Sequence, residues 1–451
     1  MLSSRLPKDL SPSPFFAELE RVKACAKKDA AEGGLSFIDM TVSSPVKAGL
    51  PVEMDAAVES ARSGFGCWNP DAAGWKSARE AVVEYYRERG GNFTAGQILL
   101  TASTSEAYSV LFKTFCDPGD VILTPMPGYP LLDTLAQLEH LECAPYFLQL
   151  RRENARKLAT DERREGAAFR FVLDSDSLLA APEKAKILLL VSPHNPTGHC
   201  VSREEWNAAV RFCEENDMVL VVDEVFGDYV FSDKVKRTWE YVFGLCPPEP
   251  SLSQSSPSKS FSTEGRESIH CRFNDFWDAG GNDLINLPED GPKCPIFWLN
   301  GLSKAVGSPQ LKLGWMAFYA PREHFEEIRA ALEFVEDAYL SVSAPAQALG
   351  MSLLPKASAY EAQVKDRLLA NWQTLREAFP AKYCPEVLGG WYAVVRLGED
   401  DEELTLRLLQ EKHVLVQPGF FFDFDEDGWV VISLLQEPAI FKEAVRRMAD
   451  R

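Results

Sequence analysis

The feature of this sequence that most constrains its fold is an alternation of short apolar runs with amphipathic stretches, which begins near Asp71. Strands that are apolar throughout are buried on both faces, and their alternation with helices is typical of a largely parallel sheet covered by helices. Ligands of such sheets bind beyond the carboxyl ends of the strands. The pattern therefore predicts an α/β fold with strands at residues 98–101, 121–124, 143–150, 187–191, 219–222, 297–299 and 314–319.

The stretches between these strands predict helices at residues 71–89, 105–116 and 130–140, and a further helix from Ser202 through Glu214. Ser202 is followed three residues later by Glu205, which is the spacing of a capping box. These signals place the loops that follow the strands at one edge of the sheet, where chemistry is expected.

Two stretches interrupt the alternation. Residues 151–170 are charged and are predicted to form a mobile connection. Residues 232–295 are rich in serine and proline and then in glycine and aspartate, which predicts a partly disordered surface insertion. The C-terminal part indicates a smaller α+β unit that includes the N-terminal segment. We therefore predict a large domain at residues 66–330, with the insertion at about 232–295, and a small domain formed by residues 1–65 and 331–451.

Composition excludes several functional classes. The chain has 451 residues and a formal net charge of −20, so it repels nucleic acid and anionic membranes, and neither is an expected partner. The ten cysteines form no Cys-x-x-Cys pair, so no metal site is predicted. The chain has no signal peptide or apolar run long enough to span a membrane, and a cytoplasmic location is expected.

Polar residues follow three of the predicted strands. Asn195 lies in the turn at residues 192–198, Asp223 ends the next strand, and Lys304 closes the segment at residues 300–304. Because the carboxyl ends of parallel strands meet at one edge of the sheet, these three side chains are expected to converge. A buried lysine amine has a lowered pKa and forms imines. A carboxylate keeps a pyridine nitrogen protonated, and an asparagine amide donates to a ring oxygen.

A phosphate group needs a seat of its own. Thr104 and Ser105 lie where a strand passes into a helix, and the free N–H groups of a helix N-terminus bind anions. A purely structural explanation is equally open, because Ser103 and Glu106 have the spacing of a capping box. Lys312 adds a positive charge. Tyr129 follows another strand and is placed to stack on a planar cofactor.

These motifs together resemble those of the class I/II aminotransferases, the fold-type-I enzymes that use pyridoxal 5′-phosphate (PLP). The resemblance runs from about Phe37 to the C-terminus, with the insertion as an interruption. It implies a large domain with a mostly parallel seven-stranded sheet flanked by helices, plus a small α+β domain. The motifs that carry it lie at residues 192–198, 222–226, 300–304 and 312–315, with supporting matches at 117–120 and 127–130.

The resemblance also implies a role for each residue. Lys304 forms the Schiff base with PLP and Asp223 pairs with the pyridine nitrogen. Asn195 reaches the ring hydroxyl oxygen and Tyr129 stacks on the ring. The phosphate is surrounded by Thr104, Ser105, Ser303 and Lys312.

Several positions depart from the family pattern around the cofactor. Phe226 replaces a tyrosine that bonds the ring oxygen, and Lys312 replaces an arginine, which removes a bidentate fork. Trp68 stands where many members have a tyrosine that reaches the neighbouring subunit's phosphate. Ser43 replaces a glycine of an N-terminal motif.

The largest departure concerns the substrate carboxylate. Val431 occupies the position where members acting on α-amino acids carry an arginine that clamps this group. A carboxylate without a partner in a desolvated site is costly. Either the substrate lacks that carboxylate or another cation binds it. Arg396 is the candidate for a relocated clamp, and a surface arginine at a strand end is the alternative.

The resemblance implies a PLP-dependent transaminase that moves an amino group between a small or hydrophobic amino acid and a 2-oxo acid. A PLP-dependent β-lyase, of the kind that cleaves C–S bonds, uses the same scaffold and is the first alternative. A PLP-binding protein with lost activity is the second. The family also implies a homodimer with its active sites at the subunit interface.

Overall fold

The computed structural model describes residues 13–154, 167–232, 235–243, 291–340, 342–398 and 400–450, together with residues 3, 5–7, 10 and 11. The predicted insertion at 232–295 therefore lies largely outside the described residues, and its predicted disorder stays a prediction.

Secondary structure alternates along the first two thirds of the chain, as the sequence predicts. The elements are α1 (Pro14–Ala31), β1 (Ile38–Asp39), α2 (Asp55–Ala61), α3 (Lys76–Arg87), β2 (Ile98–Thr101), α4 (Thr104–Phe115), β3 (Val121–Met126), α5 (Leu131–Leu138), β4 (Glu142–Asn154), β5 (Ala167–Leu173), α6 (Ser175–Leu178), β6 (Ala185–Val191), α7 (Arg203–Glu215), β7 (Val219–Asp223), α8 (Glu240–Phe243), β8 (Ile296–Gly301), α9 (Leu302–Ala305) and β9 (Gly314–Tyr319).

The remaining part is mostly helical and carries short strands. Its elements are α10 (Arg322–Asp337), α11 (Ala344–Leu353), α12 (Ala357–Ala378), β10 (Tyr392–Arg396), α13 (Asp401–Lys412), β11 (Val414–Leu415), β12 (Gln417–Pro418), β13 (Trp429–Ser433) and α14 (Pro438–Ala449). No helix in the described ranges is both long enough and apolar enough to cross a lipid bilayer.

The main sheet has the order β2-β9-β8-β7-β6-β3-β4-β5. Five neighbouring strands, β8, β7, β6, β3 and β4, run parallel, whereas β9 is antiparallel to both of its neighbours. The central strands are buried along almost their whole length, because helices cover both faces. The predicted α/β class with a mostly parallel sheet is confirmed.

The sheet has eight strands in the described residues, so the expected count of seven was one short. Strand β5 pairs antiparallel with β4, from Leu148 opposite Leu173 to Asn154 opposite Ala167. The expectation that residues 151–170 form a connection was therefore wrong at both ends, while residues 155–166 lie outside the described part. The charged residues obscured an alternation of apolar and polar side chains in β5. In that strand, Phe171 is buried against Phe424 and Trp429.

Two small sheets lie outside the main one. Strands β10, β13 and β12 form an antiparallel sheet, and β1 pairs in parallel with β11. Helix α1 buries Phe15, Leu19 and Val22 in a cluster that also contains Leu409 and Leu415. The N-terminal segment thus packs on C-terminal elements, which is the association that the proposed small domain requires; the domain boundaries themselves stay a prediction.

Helix caps fix the loops at the site edge. The Ser202 hydroxyl accepts a hydrogen bond from the Glu205 N–H, and the Glu205 carboxylate accepts one from the Ser202 N–H, which is the predicted capping box. In the parallel register Val191 lies opposite Asp223, and Asp223 lies opposite Leu299. The ends of β6 and β7 are therefore level with the last residues of β8.

Candidate active site

A cavity of about 330 Å³ opens at the carboxyl ends of the central strands. This volume lies in the range of small-molecule sites. The cavity brings together nine of the eleven predicted site residues, namely Lys304, Asp223, Asn195, Tyr129, Thr104, Ser105, Ser303, Lys312 and Phe226.

A larger cavity, of about 510 Å³, lies at the other ends of the strands, near Val219 and Pro295. It contains none of the predicted site residues. Because ligands of such sheets bind at the carboxyl ends of the strands, we assign the chemistry to the smaller cavity.

Lys304 lies in α9, directly after β8, and its partly buried side chain lines the cavity. Burial lowers the pKa of its amine to about 8, although the Asp223 carboxylate acts in the opposite direction. Its Nζ atom lies 4.6 Å from the ring centroid of Trp391 and 5.4 Å from that of Phe226. The Lys304 carbonyl accepts a hydrogen bond of 2.7 Å from the Tyr229 hydroxyl.

The lowered pKa gives a testable pH dependence. Because burial disfavours the ammonium form, the neutral amine of Lys304 becomes the major species above about pH 8. We expect an acylating reagent to modify Lys304 in the cofactor-free protein with a midpoint near this pH, which mass spectrometry of the Lys304 peptide measures across a pH series. A midpoint at the ordinary lysine value of about 10.4 would contradict the burial argument.

Asp223 ends β7 and points its carboxylate into the same cavity. Its Oδ2 atom accepts a hydrogen bond of 2.6 Å from the Tyr108 hydroxyl, and Oδ1 accepts one of 3.0 Å from the Val225 N–H. Burial raises the pKa of Asp223, and both hydrogen bonds and the Lys304 amine oppose this shift. The sequence reasoning missed Tyr108, although its spacing of four residues from Thr104 puts both on one face of α4.

The N-terminus of α4 lies at the edge of this cavity. The Thr104 and Ser105 N–H groups begin the helix and therefore have no helical carbonyl as acceptor. The Ser103 hydroxyl caps the helix by accepting from the Glu106 N–H, while the Glu106 carboxylate accepts from the Ala102 N–H. The observed cap therefore does not use the Thr104 and Ser105 N–H groups, and anion binding by them stays a prediction.

Strand β9 passes close to the N-terminus of α4. A side chain at Gly314 would place a Cβ atom 3.1 Å from the Asn300 carbonyl oxygen and 3.2 Å from the Ser103 carbonyl carbon. Lys312, two residues earlier, has a left-handed backbone conformation with φ of 52° and lines the cavity beside Ser303. Gly314 therefore lets β9 pass close to the N-terminus of α4, and Lys312 lines the cavity beside it.

The remaining donors suit a pyridine ring with a hydroxyl group. The Asn195 side chain has a buried oxygen with no hydrogen-bond partner among the described residues, and rotating the amide by half a turn exchanges its donor and acceptor. Tyr129, half exposed, lines the same cavity. An amine, a carboxylate, an amide, an aromatic ring and a helix N-terminus in one cavity fit the groups of PLP.

The structure does not bring Arg396 and Trp68 to the cavity. Arg396 ends β10, where its guanidinium forms an ion pair with Glu426 and lies 5.8 Å from the Trp429 ring centroid. Trp68 is 79% exposed and lies apart from the lining residues. Val431 is fully buried in β13.

Other lining residues were missed by the sequence reasoning or had no role assigned to them. Leu131 and Leu132 begin α5, Tyr392 begins β10, and Ser43 lines the same cavity. Ser43 had been noted only as a departure from the family pattern. These residues come from distant parts of the chain, and no local pattern marks them.

Comparisons with known proteins agree with this geometry. The family model "Aminotransferase class I and II" matches residues 49–267 and 270–448. A glutamate-pyruvate aminotransferase of Haemophilus influenzae is 21% identical over 439 residues, which cover 93% of this chain and 91% of that protein. An S-alkyl-thiohydroximate lyase of Arabidopsis thaliana is 22% identical over 87% of this chain and 74% of its own length.

Among solved structures, an alanine aminotransferase from Pyrococcus furiosus superposes with a TM-score of 0.72 at 19% identity, over 97% of this chain and 98% of that one. This likeness concerns the fold. The family match extends over nearly the whole sequence and includes all three motifs at the cavity. The chain is therefore a member of the class I and II aminotransferase family.

Proposed function

We propose that this aminotransferase binds PLP in the cavity at the carboxyl ends of β6, β7 and β8. Lys304 holds the aldehyde end and Asp223 faces the ring nitrogen. Asn195 donates to the ring oxygen and Tyr129 stacks on the ring. The phosphate is held by Thr104, Ser105, Ser303 and Lys312. The observation that carries the proposal is the joint placement of a lysine amine, a carboxylate and a helix N-terminus around one cavity.

The chemistry follows from these positions. When bound, PLP supplies a ring that withdraws electrons from the α-carbon of the substrate. The Asp223 carboxylate keeps the ring nitrogen protonated, and Tyr108 and the Val225 N–H hold that carboxylate in place. With PLP bound, the Lys304 amine would take the proton from the substrate α-carbon and deliver it to the former aldehyde carbon of the cofactor, a role that suits a base with a pKa of about 8.

The cavity walls support a small or hydrophobic amino acid as donor, with a 2-oxo acid as acceptor. Leu131, Leu132 and Phe226 contribute apolar surface, whereas Ser43 and Tyr392 contribute hydroxyl groups. Among the described lining residues, the cations are Lys304 and Lys312, and the proposal assigns both to the cofactor. The hydroxyl groups of Ser43 and Tyr392 are therefore the nearest candidates for neutral donors to the substrate.

An absorption spectrum of the purified protein with PLP, before and after addition of pooled L-amino acids, tests the function. We expect the band of the lysine-bound cofactor to convert to that of the pyridoxamine form, and a 2-oxo acid to reverse the change. A band that never changes would indicate a PLP-binding protein with lost activity. A protein that takes up no PLP would contradict the proposal.

A β-lyase activity is the second candidate, because a relative of similar identity is named a lyase. Lyases and transaminases share the same early steps, and the fold does not separate them. Incubation with cysteine conjugates and no 2-oxo acid distinguishes them. Release of pyruvate and ammonia would favour the lyase, whereas an absolute requirement for a 2-oxo acid would favour the transaminase.

The placement of Arg396 gives a prediction about substrate binding. We expect Arg396→Ala to change kcat/KM for the amino donor by less than about fivefold, because the guanidinium lies outside the cavity and is engaged by Glu426. Glu426→Gln is the matched control, since it frees the same cation without removing it. A rise in KM of about a hundredfold in Arg396→Ala alone would make Arg396 the carboxylate clamp after all.

Two further expectations concern the whole protein. We propose a homodimer, supported by a group of exposed apolar side chains that includes Phe65, Trp68, Phe334, Tyr339 and Leu340. Light scattering coupled to gel filtration tests it, and a fully active monomer would contradict it.

We also propose a cytoplasmic location, because the described cysteines are all unpaired and four of them are buried.

A further inference from the structure

Two aromatic rings face the amine of Lys304, and a third packs against one of them. The Trp391 ring centroid lies 4.6 Å from Nζ, which places the ammonium group over the indole face, and Phe226 lies 5.4 Å away. Tyr229 packs against Trp391 with 5.2 Å between ring centroids, and Phe226 does so at 5.4 Å. We call Phe226, Tyr229 and Trp391 the aromatic cage. Aromatic faces attract cations, most strongly where water is excluded.

Trp391 occupies its position at a cost. It is fully buried, and its Nε1 donor has no hydrogen-bond partner among the described residues. Leaving a buried donor unpaired is unfavourable, and buried indole N–H groups usually find an acceptor. A side chain selected only for packing has no reason to be a tryptophan here. The indole face over Lys304 supplies one.

The backbone is shaped to admit this ring. At Gly389 a Cβ atom would lie 2.8 Å from Pro193 Cγ and 2.9 Å from the Tyr229 carbonyl oxygen, so the chain reaches the β6 and β7 loops only without a side chain. Gly390 follows with φ of +90°, a conformation that favours glycine. The Gly390 N–H donates to the Tyr229 carbonyl, and this hydrogen bond fixes the backbone next to Trp391 relative to Tyr229.

The cage also holds the lysine backbone. The Tyr229 hydroxyl donates to the Lys304 carbonyl at 2.7 Å. Tyr229 therefore contacts both the Trp391 indole and the backbone of Lys304. Lys304 needs such control because its amine changes between neutral and protonated forms during proton transfer.

We propose that the aromatic cage, above all Trp391, positions the Lys304 ammonium by cation–π contact. It would do so after the amine takes the proton from the substrate α-carbon and until that proton is delivered to the former aldehyde carbon of PLP. The role of the lysine rests on the proposed function. The contact itself is a property of this chain and can be measured without turnover.

The Asp223 carboxylate also acts on the Lys304 amine. The titratable and charged side chains of the cavity lining are Asp223 from β7, Tyr108 from α4, Tyr129 from the β3 loop, Lys312 from the β9 loop and Tyr392 from β10. None of these is altered by a substitution at Trp391. A change in the titration of Lys304 in such a variant therefore reports the ring.

Trp391→Leu and Trp391→Phe test the proposal. The first keeps an apolar side chain but removes the π face, and the second keeps a smaller face. In the cofactor-free proteins, acetylation of the Lys304 peptide is followed by mass spectrometry against the exposed Lys76. Loss of cation–π stabilisation should lower the Lys304 midpoint by about one pH unit in Trp391→Leu and by less in Trp391→Phe. In the PLP-loaded proteins kcat should fall by about tenfold, with a smaller change in KM.

An unchanged midpoint in Trp391→Leu would overturn the proposal. So would a rise, which would mean that the ring only excludes water, or identical midpoints in the two variants. If Trp391→Leu fails to fold by circular dichroism, Trp391→Phe and Phe226→Leu carry the test, and each must lower the midpoint. A wild-type protein that takes up no PLP would sink the proposed function but leave the labelling comparison valid.

Discussion

Replacement of Lys304 by alanine should abolish transamination, with kcat/KM reduced by about 10⁴-fold or more, because the cavity then lacks both its covalent anchor for PLP and its proton carrier. The side chain lines the cavity, and its amine lies close enough to Asp223 for that carboxylate to act on its pKa. Single-turnover conversion of the cofactor by an excess of amino donor measures the loss directly.

Two variants separate the covalent role from charge. Lys304→Arg keeps the positive charge but provides neither a nucleophile nor a base near neutral pH, and we expect it to be as inactive as Lys304→Ala. Lys312→Ala removes a charge from the same cavity and should weaken PLP binding while leaving covalent capture intact. Borohydride reduction followed by mass spectrometry should find the cofactor on the Lys304 peptide of wild type and Lys312→Ala only. Turnover by Lys304→Ala at a tenth of the wild-type rate would refute the assignment.

The second large effect is expected at Asp223. Asp223→Asn should lower kcat by about 10³-fold, because a neutral amide does not keep the ring nitrogen protonated, and each unit of that pKa preference is about 1.4 kcal/mol. Burial raises the pKa of the carboxyl, and the Tyr108 hydroxyl at 2.6 Å favours the ionised form that the ring nitrogen requires. PLP should still attach to Lys304 in this variant, so the defect lies in the chemical step.

Tyr108→Phe is the matched control, since it removes one hydrogen bond to the carboxylate but keeps its charge. We expect a loss of about tenfold, in line with a hydrogen bond to a charged group. Single-turnover rates of the two variants across pH give the comparison. Equal effects of Asp223→Asn and Tyr108→Phe would mean that the carboxylate acts through geometry rather than charge.

The sequence by itself determined the sheet and the residues at its edge. Wholly apolar runs such as residues 219–222 have few alternatives to a buried parallel strand, since they bury both faces. Once the strands are parallel, their ends fall at one edge, and Asn195, Asp223 and Lys304 meet without further information. Strand β5 was not predicted, because its alternation of apolar and polar residues is short and lies beside a charged stretch.

Only the tertiary structure decided which distant residues complete the site. Tyr108 reaches Asp223 across 115 positions of sequence, and Tyr229 reaches Lys304 across 75, so no local pattern marks either pair. Likewise, the sequence did not show what Arg396 contacts. Its charge suggested a clamp for the substrate carboxylate, whereas the structure pairs it with Glu426. Hydrophobic periodicity is a local property, whereas partners for buried polar and aromatic groups depend on how separate elements pack.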